Sequence, residues 1–346
     1  MLALKTKSCQ SRGSGRSGPL DRLACSVVYS RREEVPAIVK LFQCVPNFSE
    51  GRRSEIVEKI VCSIRDAADV TLVDYSMDPD HNRCVVTFLG SSDAVRESML
   101  AGARTAIELI DLNRHEGVHP RIGAVDVIPV VPLVDATMDE AAELARSIGY
   151  EIANTLQVPV YFYEECAKTP DRRNLENLRR GGFEELKAIE LTGEKAPDVG
   201  PTRMHPTAGA VVVGARGPLI AYNINLATDD VGVARRIASR VRELRKSGKA
   251  MHGVKAIGLF LASRGIAQVS FNITCPECTG LWEVYSFVER EAREMGVEVL
   301  ESELVGTIRE KHVLDALAKA MKFAELTHRQ VLENWIPQQS DVSAPQ

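Results

Sequence analysis

Apolar residues recur along this chain with two periods, one near two residues and one near three and a half, and their alternation sets out the elements. Leu41-Phe42-Gln43-Cys44-Val45 is a short apolar run that predicts a strand, and Pro46-Asn47-Phe48-Ser49-Glu50-Gly51 predicts a turn. Ile56, Val57, Ile60, Val61 and Ile64 return at helical spacing. Strands are expected over residues 70–74 and 84–89, joined by the polar loop 76–83. Val95, Met99, Ala103, Ala106 and Ile110 mark a second helix, and residues 124–132 a further strand. The order so far is β-α-β-β-α-β.

Thr137-Met138-Asp139-Glu140 has the form of a capping box, in which a hydroxyl and a carboxylate satisfy free N–H groups at a helix start. The helix it opens buries Met138, Ala141, Ala145, Ile148, Ile152 and Leu156, and a strand follows at 158–163. The Arg-rich stretch 168–187 predicts a surface-facing helix, and 210–213 a strand. The element order then repeats. Strands are expected at 219–226, 254–261, 266–273 and 297–300. One helix carries Val233, Ile237, Val241 and Leu244; another carries Leu281, Val284, Val288, Ala292 and Met295 and ends at Gly296 as a C′ residue. A last helix is expected from Lys311 to about Trp335. The fold class this predicts is α+β, two tandem ferredoxin-like (βαββαβ) subdomains, each an antiparallel sheet covered on one face by two helices, with a cleft between them. The expected boundaries are 41–217 and 218–336, with a disordered extension over 1–40 and a polar tail over 337–346.

Composition narrows the function classes. The 346 residues carry a formal net charge of −4, with 45% hydrophobic and 26% charged residues, so this is an ordinary globular chain with no global attraction to nucleic acid or an anionic membrane. No apolar run is long enough to span a bilayer. The first 40 residues hold Lys5, Lys7, Arg12, Arg16, Arg22, Arg31 and Arg32 with few acids; they loosely resemble a transit peptide, and a disordered extension is the preferred reading. Eight cysteines are scattered through the chain, which does not suggest a disulfide framework. Cys275-Pro276-Glu277-Cys278 lacks the second pair of a zinc site, so free thiols in a reducing cytoplasm are expected, and no metal.

The chemistry concentrates in Arg114-His115-Glu116-Gly117-Val118-His119-Pro120-Arg121-Ile122-Gly123. Histidine exchanges a proton near neutral pH, and a Gly/Pro-shaped loop on a rigid strand suits a reaction site, although a solvated turn has the same composition. Residue types leave His115 and His119 both open as the base, with a slight preference for His119, whose following proline favours an extended backbone. A second Gly/Pro-rich loop runs Gly200, Pro201, Thr202, Arg203, Met204, His205, Pro206, Thr207, Ala208 and Gly209; pattern alone does not separate a ligand loop from a connection.

Cys44-Val45-Pro46-Asn47-Phe48-Ser49-Glu50-Gly51 resembles the opening motif of the formiminotransferase family. Asn82-Arg83, Arg114-His115 through Gly123-Ala124, Val158-Pro159-Val160-Tyr161, Gly214-Ala215-Arg216 and Ala221-Tyr222-Asn223-Ile224-Asn225-Leu226 are similar to its further blocks, in the same order, across about residues 42 to 335. The resemblance implies two ferredoxin-like subdomains. It implies transfer of a formimino group from N-formimino-L-glutamate to N5 of tetrahydrofolate, a co-substrate, in histidine degradation and one-carbon metabolism. Its catalytic histidine falls on His119 and its folate-contacting loop on Gly200 to Gly209, where Arg203, His205 and Ala208 depart from the animal-type pattern. An aspartate that assists in that pattern falls on Ser76; the nearest acids are Asp74 and Asp78. No metal is implied. Animal members carry a fused cyclodeaminase, so a stand-alone cytoplasmic transferase is expected here.

The implied chemistry suits the residues. A neutral imidazole can accept the N5 proton and return it to the departing nitrogen. Arg83, Arg121 and Arg216 are candidates to bind substrate carboxylates. Two rival readings are a formyltransferase using N-formyl-L-glutamate, and a folate-binding protein without turnover. A homodimer is left open; nucleic acid and membrane are not expected partners.

Overall fold

A computed structural model describes residues 40–335; the extension expected over 1–40, apart from Lys40, and the tail over 337–346 lie outside the described residues. Helix α1 (Ser54–Ala67) turns Ile56, Val57, Ile60, Val61 and Ile64 inward, and α2 (Ser92–Leu109) does the same with Val95, Met99, Ala103 and Ala106. Both stripes recur at the helical period and join one core with the strands. Each fully buried aliphatic side chain contributes about 1.5–3 kcal/mol. The strands are β1 (Leu41–Cys44), β2 (Asn47–Phe48), β3 (Val70–Asp78), β4 (Arg83–Gly90) and β5 (Val125–Val134). β1 and β2 lie between β4 and β5 as one strand interrupted at Val45-Pro46, so the turn expected over 46–51 contains a strand. Proline lacks the N–H a continuous ladder needs.

After β5 the chain enters α3 (Met138–Leu156) through the capping box, in which Thr137 and Glu140 each accept the other's backbone N–H. It returns through β6 (Val160–Glu164) and later β7 (Val211–Ala215). β7 sits between β5 and β6 and is parallel to both. The sheet is therefore seven-stranded and mixed, where a purely antiparallel sheet was expected. The long crossover through α3 is what parallel pairing requires, and β7 is buried along its whole length, as parallel strands usually are.

The second half forms a four-stranded antiparallel sheet from β8 (Ile220–Leu226), β9 (Val254–Leu261), β10 (Ile266–Ile273) and β11 (Val299–Val305), in the order β11-β8-β10-β9. Counted by element, the first four strand positions of the N-terminal sheet follow the same neighbour order, β3-β4-β1/β2-β5. Ile220, Tyr222, Ile224 and Leu226 of β8 and Ala267, Val269, Phe271 and Ile273 of β10 pack with α6 and α7. The alternate positions turn the other way, which places the polar residues of β8 and β10 on one face.

Three other expectations change. Residues 168–187 are not one solvated helix: a 3-10 turn (Pro170–Arg173) is followed by α4 (Leu175–Leu178) and α5 (Gly182–Lys187), broken where Gly181 and Gly182 take positive φ. This segment buries Phe183 and Leu186, and its arginines pair with the buried acids Asp126 and Asp198. After α6 (Val231–Lys246) and α7 (Leu281–Glu294), the last α-helix α8 (Glu310–Met321) stops at left-handed Lys322; a fresh reciprocal cap between Thr327 and Gln330 opens a separate 3-10 turn, and Trp335 ends another (Leu332–Trp335), so the segment is not one continuous helix. Cys275 and Cys278 are disulfide-bonded rather than free thiols, their Cα atoms only 5.2 Å apart across the tight β10–α7 loop. Among the described residues no helix is long and apolar enough to cross a membrane.

Candidate active site

Two adjoining cavities, about 330 Å³ and about 580 Å³, open between the two sheets. Arg83, Val85, His119 and Arg179 from the first half and Lys255 and Asn272 from the second line both. Strands of the two halves supply most of the walls, and Leu175 and Glu176 of α4 and His312 of α8 add to them.

The turn that bears His119 is tied down along its length. Asn82, buried and in the left-handed region at φ 48°, accepts from the Gly51 N–H at 3.0 Å and donates to the Glu116 carbonyl at 2.9 Å. The Val118 N–H donates to the Asp80 carbonyl. Gly117 is needed for this closeness: a Cβ there would lie 2.4 Å from the His81 carbonyl oxygen. His119 Nδ1 lies 2.9 Å from the Pro120 carbonyl, which can only accept, so Nδ1 carries the hydrogen. Nε2 is then the lone-pair nitrogen, and Arg83 Nη1 donates to it at 2.6 Å. Burial, followed by the charges of Arg83, Arg179 and His81, holds His119 well below the usual imidazole range. Burial also pushes the Arg83 guanidinium down to about 10. The site thus presents a neutral imidazole of fixed tautomer, able to accept one proton.

His115 has a different job. Its Nε2 donates to the Asn82 carbonyl at 2.8 Å, and its Nδ1 accepts from Arg121 Nε at 2.6 Å. Both ring nitrogens are occupied, and the residue lines neither cavity. Arg121 is likewise committed, to His115 and to Glu184, so the structure does not bring it to the cleft as a carboxylate partner. Arg83 and Arg216 do reach the cleft, and among the described residues neither has an ion-pair partner. Ser76 and Asp78 line the larger cavity; Asp74 does not.

None of Gly200 to Gly209 lines either cavity. The loop braces the His119 turn. The Ala124 N–H donates to the Ala208 carbonyl at 2.8 Å, the Leu112 N–H donates to the Thr207 carbonyl at 2.8 Å, and the Ala210 N–H donates to the Ile122 carbonyl at 3.0 Å. Gly209, at φ 71°, lies so close to Ile122 that a Cβ would meet its carbonyl oxygen at 2.1 Å.

Sequence reasoning missed four groups. His81 and Arg179 stand beside His119, and Lys255 and Glu303 face them from the second sheet. His81 lies in Asp78-Pro79-Asp80-His81-Asn82-Arg83, where the density of ionisable residues was a signal. Arg179 sits in a stretch that reads as a charged surface, and no local pattern distinguishes it. Asn225 donates to Glu303 at 2.7 Å and accepts from Gln268 at 2.9 Å, an amide–carboxylate network on the polar face of β8, β10 and β11. Among the described residues no group of three or more metal-ligating side chains comes together.

Residues 41–216 match the family model described as formiminotransferase domain, N-terminal subdomain, and residues 221–335 match formiminotransferase domain. The chain is 39% identical over 298 residues to a glutamate formimidoyltransferase of Streptococcus pyogenes serotype M1, covering 86% of this chain and 99% of that one. It is 39% identical to a glutamate formimidoyltransferase of Thermoplasma acidophilum, covering 85% and 97%. A formimidoyltransferase-cyclodeaminase of Sus scrofa is 43% identical over 283 residues, which span 81% of this chain and 52% of that protein.

Proposed function

Since the chain belongs to the formiminotransferase family, we propose that it is a glutamate formimidoyltransferase, moving the formimino group of N-formimino-L-glutamate to N5 of tetrahydrofolate in the cytoplasm as a step of histidine degradation. Both substrates carry carboxylates, and the cleft offers Arg83, Arg216 and Lys255 to receive them. A flat pterin fits an opening of this size between two sheets.

His119 is the general base. The nitrogen N5 attacks the formimino carbon and must shed its proton as the tetrahedral intermediate forms. His119 Nε2, kept neutral by its surroundings, accepts it. Arg83 Nη1 donates to that lone pair. A substrate carboxylate that draws the guanidinium away frees the base at the moment of binding. The Gly200 to Gly209 loop serves this reading by holding the His119 turn, and it meets folate only where the substrate extends past the cleft.

The observation that carries the proposal is the neutral, tautomer-fixed imidazole of His119 in a cleft where, among the described residues, Arg83 and Arg216 have no carboxylate partner. Formimino transfer is followed by the absorbance of the folate product, comparing wild type with His119→Ala. The expected outcome is turnover in the wild type and a loss of about 100-fold or more in the variant. Turnover with N-formyl-L-glutamate in place of the formimino donor, or undiminished activity in the variant, would overturn it.

A further inference from the structure

His81 closes the loop between β3 and β4, and its ring centroid is 5.7 Å from that of His119. It is 7% exposed and lines the larger cavity. Asp78 fixes it twice. Asp78 Oδ1 accepts the His81 backbone N–H at 2.8 Å, and Asp78 Oδ2 lies 3.2 Å from ring Nδ1. A carboxylate partner keeps the hydrogen on Nδ1, so Nε2 is the nitrogen that gains or loses a proton. That Nε2 is buried and has no protein partner. A buried polar atom left single is costly, and a ligand group that bonds to it removes the cost.

The two rings sit in opposite fields. His119 faces Arg83, Arg179 and His81. His81 faces Asp78 and Asp80 on its own loop and Glu303 of β11 across the cleft, with Arg83 of β4 as the opposing cation. Burial is the largest cause at each ring and both are lowered, but the three carboxylates offset part of the shift at His81, while Arg83 and Arg179 deepen it at His119, so His81 is the more easily protonated of the two. Where neighbouring groups are driven apart in this way, the one more easily protonated is the acid and the other the base.

Resting on the formimino-transfer reading, we propose that His81, oriented by Asp78, is a second catalytic residue that donates its Nε2 proton to the departing glutamate nitrogen. The two steps balance. As the N5–carbon bond forms, the C=N π pair of the protonated formimino group moves onto its own nitrogen and the N5 proton passes to His119 Nε2; that pair re-forms the C=N bond in the next step. As the carbon–nitrogen bond to glutamate breaks, its electron pair is taken by the proton from His81 Nε2. One proton is accepted, one is given, and nothing is oxidised or reduced. Proton exchange between the rings or with solvent then resets the pair.

The test is the pH profile of kcat/KM for transfer from N-formimino-L-glutamate to tetrahydrofolate, in wild type, His81→Gln and Asp78→Asn. The wild type should rise with pH as His119 loses its proton and fall as His81 loses its own. His81→Gln should lose about 100-fold or more and lose the alkaline fall. Asp78→Asn should keep the fall but move it to lower pH, because a negative charge beside His81 is gone; this variant carries the test if His81→Gln does not fold. A merely structural role predicts a loss with both limbs intact. A folded His81→Gln that keeps the alkaline fall, or an Asp78→Asn profile that does not move, overturns the proposal alone. A wild type without turnover removes the transfer reading and the proposal with it.

Discussion

The ion pair between Arg179 and Asp126 joins the stability of the first half to the geometry of the cleft. Asp126, on β5, is 1% exposed; one carboxylate oxygen accepts the Ile122 N–H at 2.8 Å and the other pairs with Arg179. Asp126→Asn keeps the volume and can still accept from Ile122, but leaves the guanidinium without its counter-charge. Removing one partner of a buried pair costs about 3–5 kcal/mol. The Arg179 side chain is 12% exposed and lines the cavities, so it can turn toward water there. We therefore expect about 2–3 kcal/mol, the buried-pair figure discounted for that rehydration. Asp126→Ala also orphans the Ile122 N–H and should cost about 1–2 kcal/mol more. Arg179→Met combined with Asp126→Asn should be less destabilising than the sum of the two, by about 2 kcal/mol. Urea unfolding followed by far-UV circular dichroism is the assay, since Trp282 and Trp335 both lie outside the first half. If Asp126→Asn unfolds within about 0.5 kcal/mol of wild type, the pair is not the anchor argued here.

Two further predictions concern the buried acid Glu50 and the His119 turn. Glu50 is almost fully buried; burial opposes its charge, but the N–H groups of Arg53 and Arg52 and the Arg53 guanidinium outweigh it and hold the carboxyl below its ordinary range. A depressed acid stabilises the fold above its unfolded value and loses that contribution as pH falls through the folded one. Glu50→Gln should therefore cost about 1–3 kcal/mol at pH 7, a gap that narrows below about pH 4 in paired unfolding curves; a gap independent of pH would count against the sign. Gly117→Ala forces a methyl group against the His81 carbonyl and displaces the turn. Its kcat/KM should fall by about 10-fold or more while circular dichroism stays native, and an unchanged rate would show that the turn tolerates the shift.

Period-two and helical patterning along the chain determined most of this protein. It placed α1, α2, α3, α6 and α7 and the strands β9 and β10 at their observed positions, because their apolar faces are local repeats. β11 runs to Val305 rather than to residue 300 because Glu301, Ser302 and Glu303 pair with β8 through backbone groups, which side-chain hydropathy does not record. The Gly/Pro loop with His119 was legible for the same local reason: its composition is that of a shaped turn, whatever surrounds it. What only the tertiary structure decided is how ionisable groups are partnered. His115 and Arg121 look like site residues in the sequence and are spent on each other, whereas His81, marked there only by its ionisable neighbours, and Arg179, not marked at all, stand beside the base. Whether an imidazole is neutral, or a guanidinium free, depends on burial and on charges that arrive from distant strands. Those distances are fixed only when the two sheets meet across the cleft.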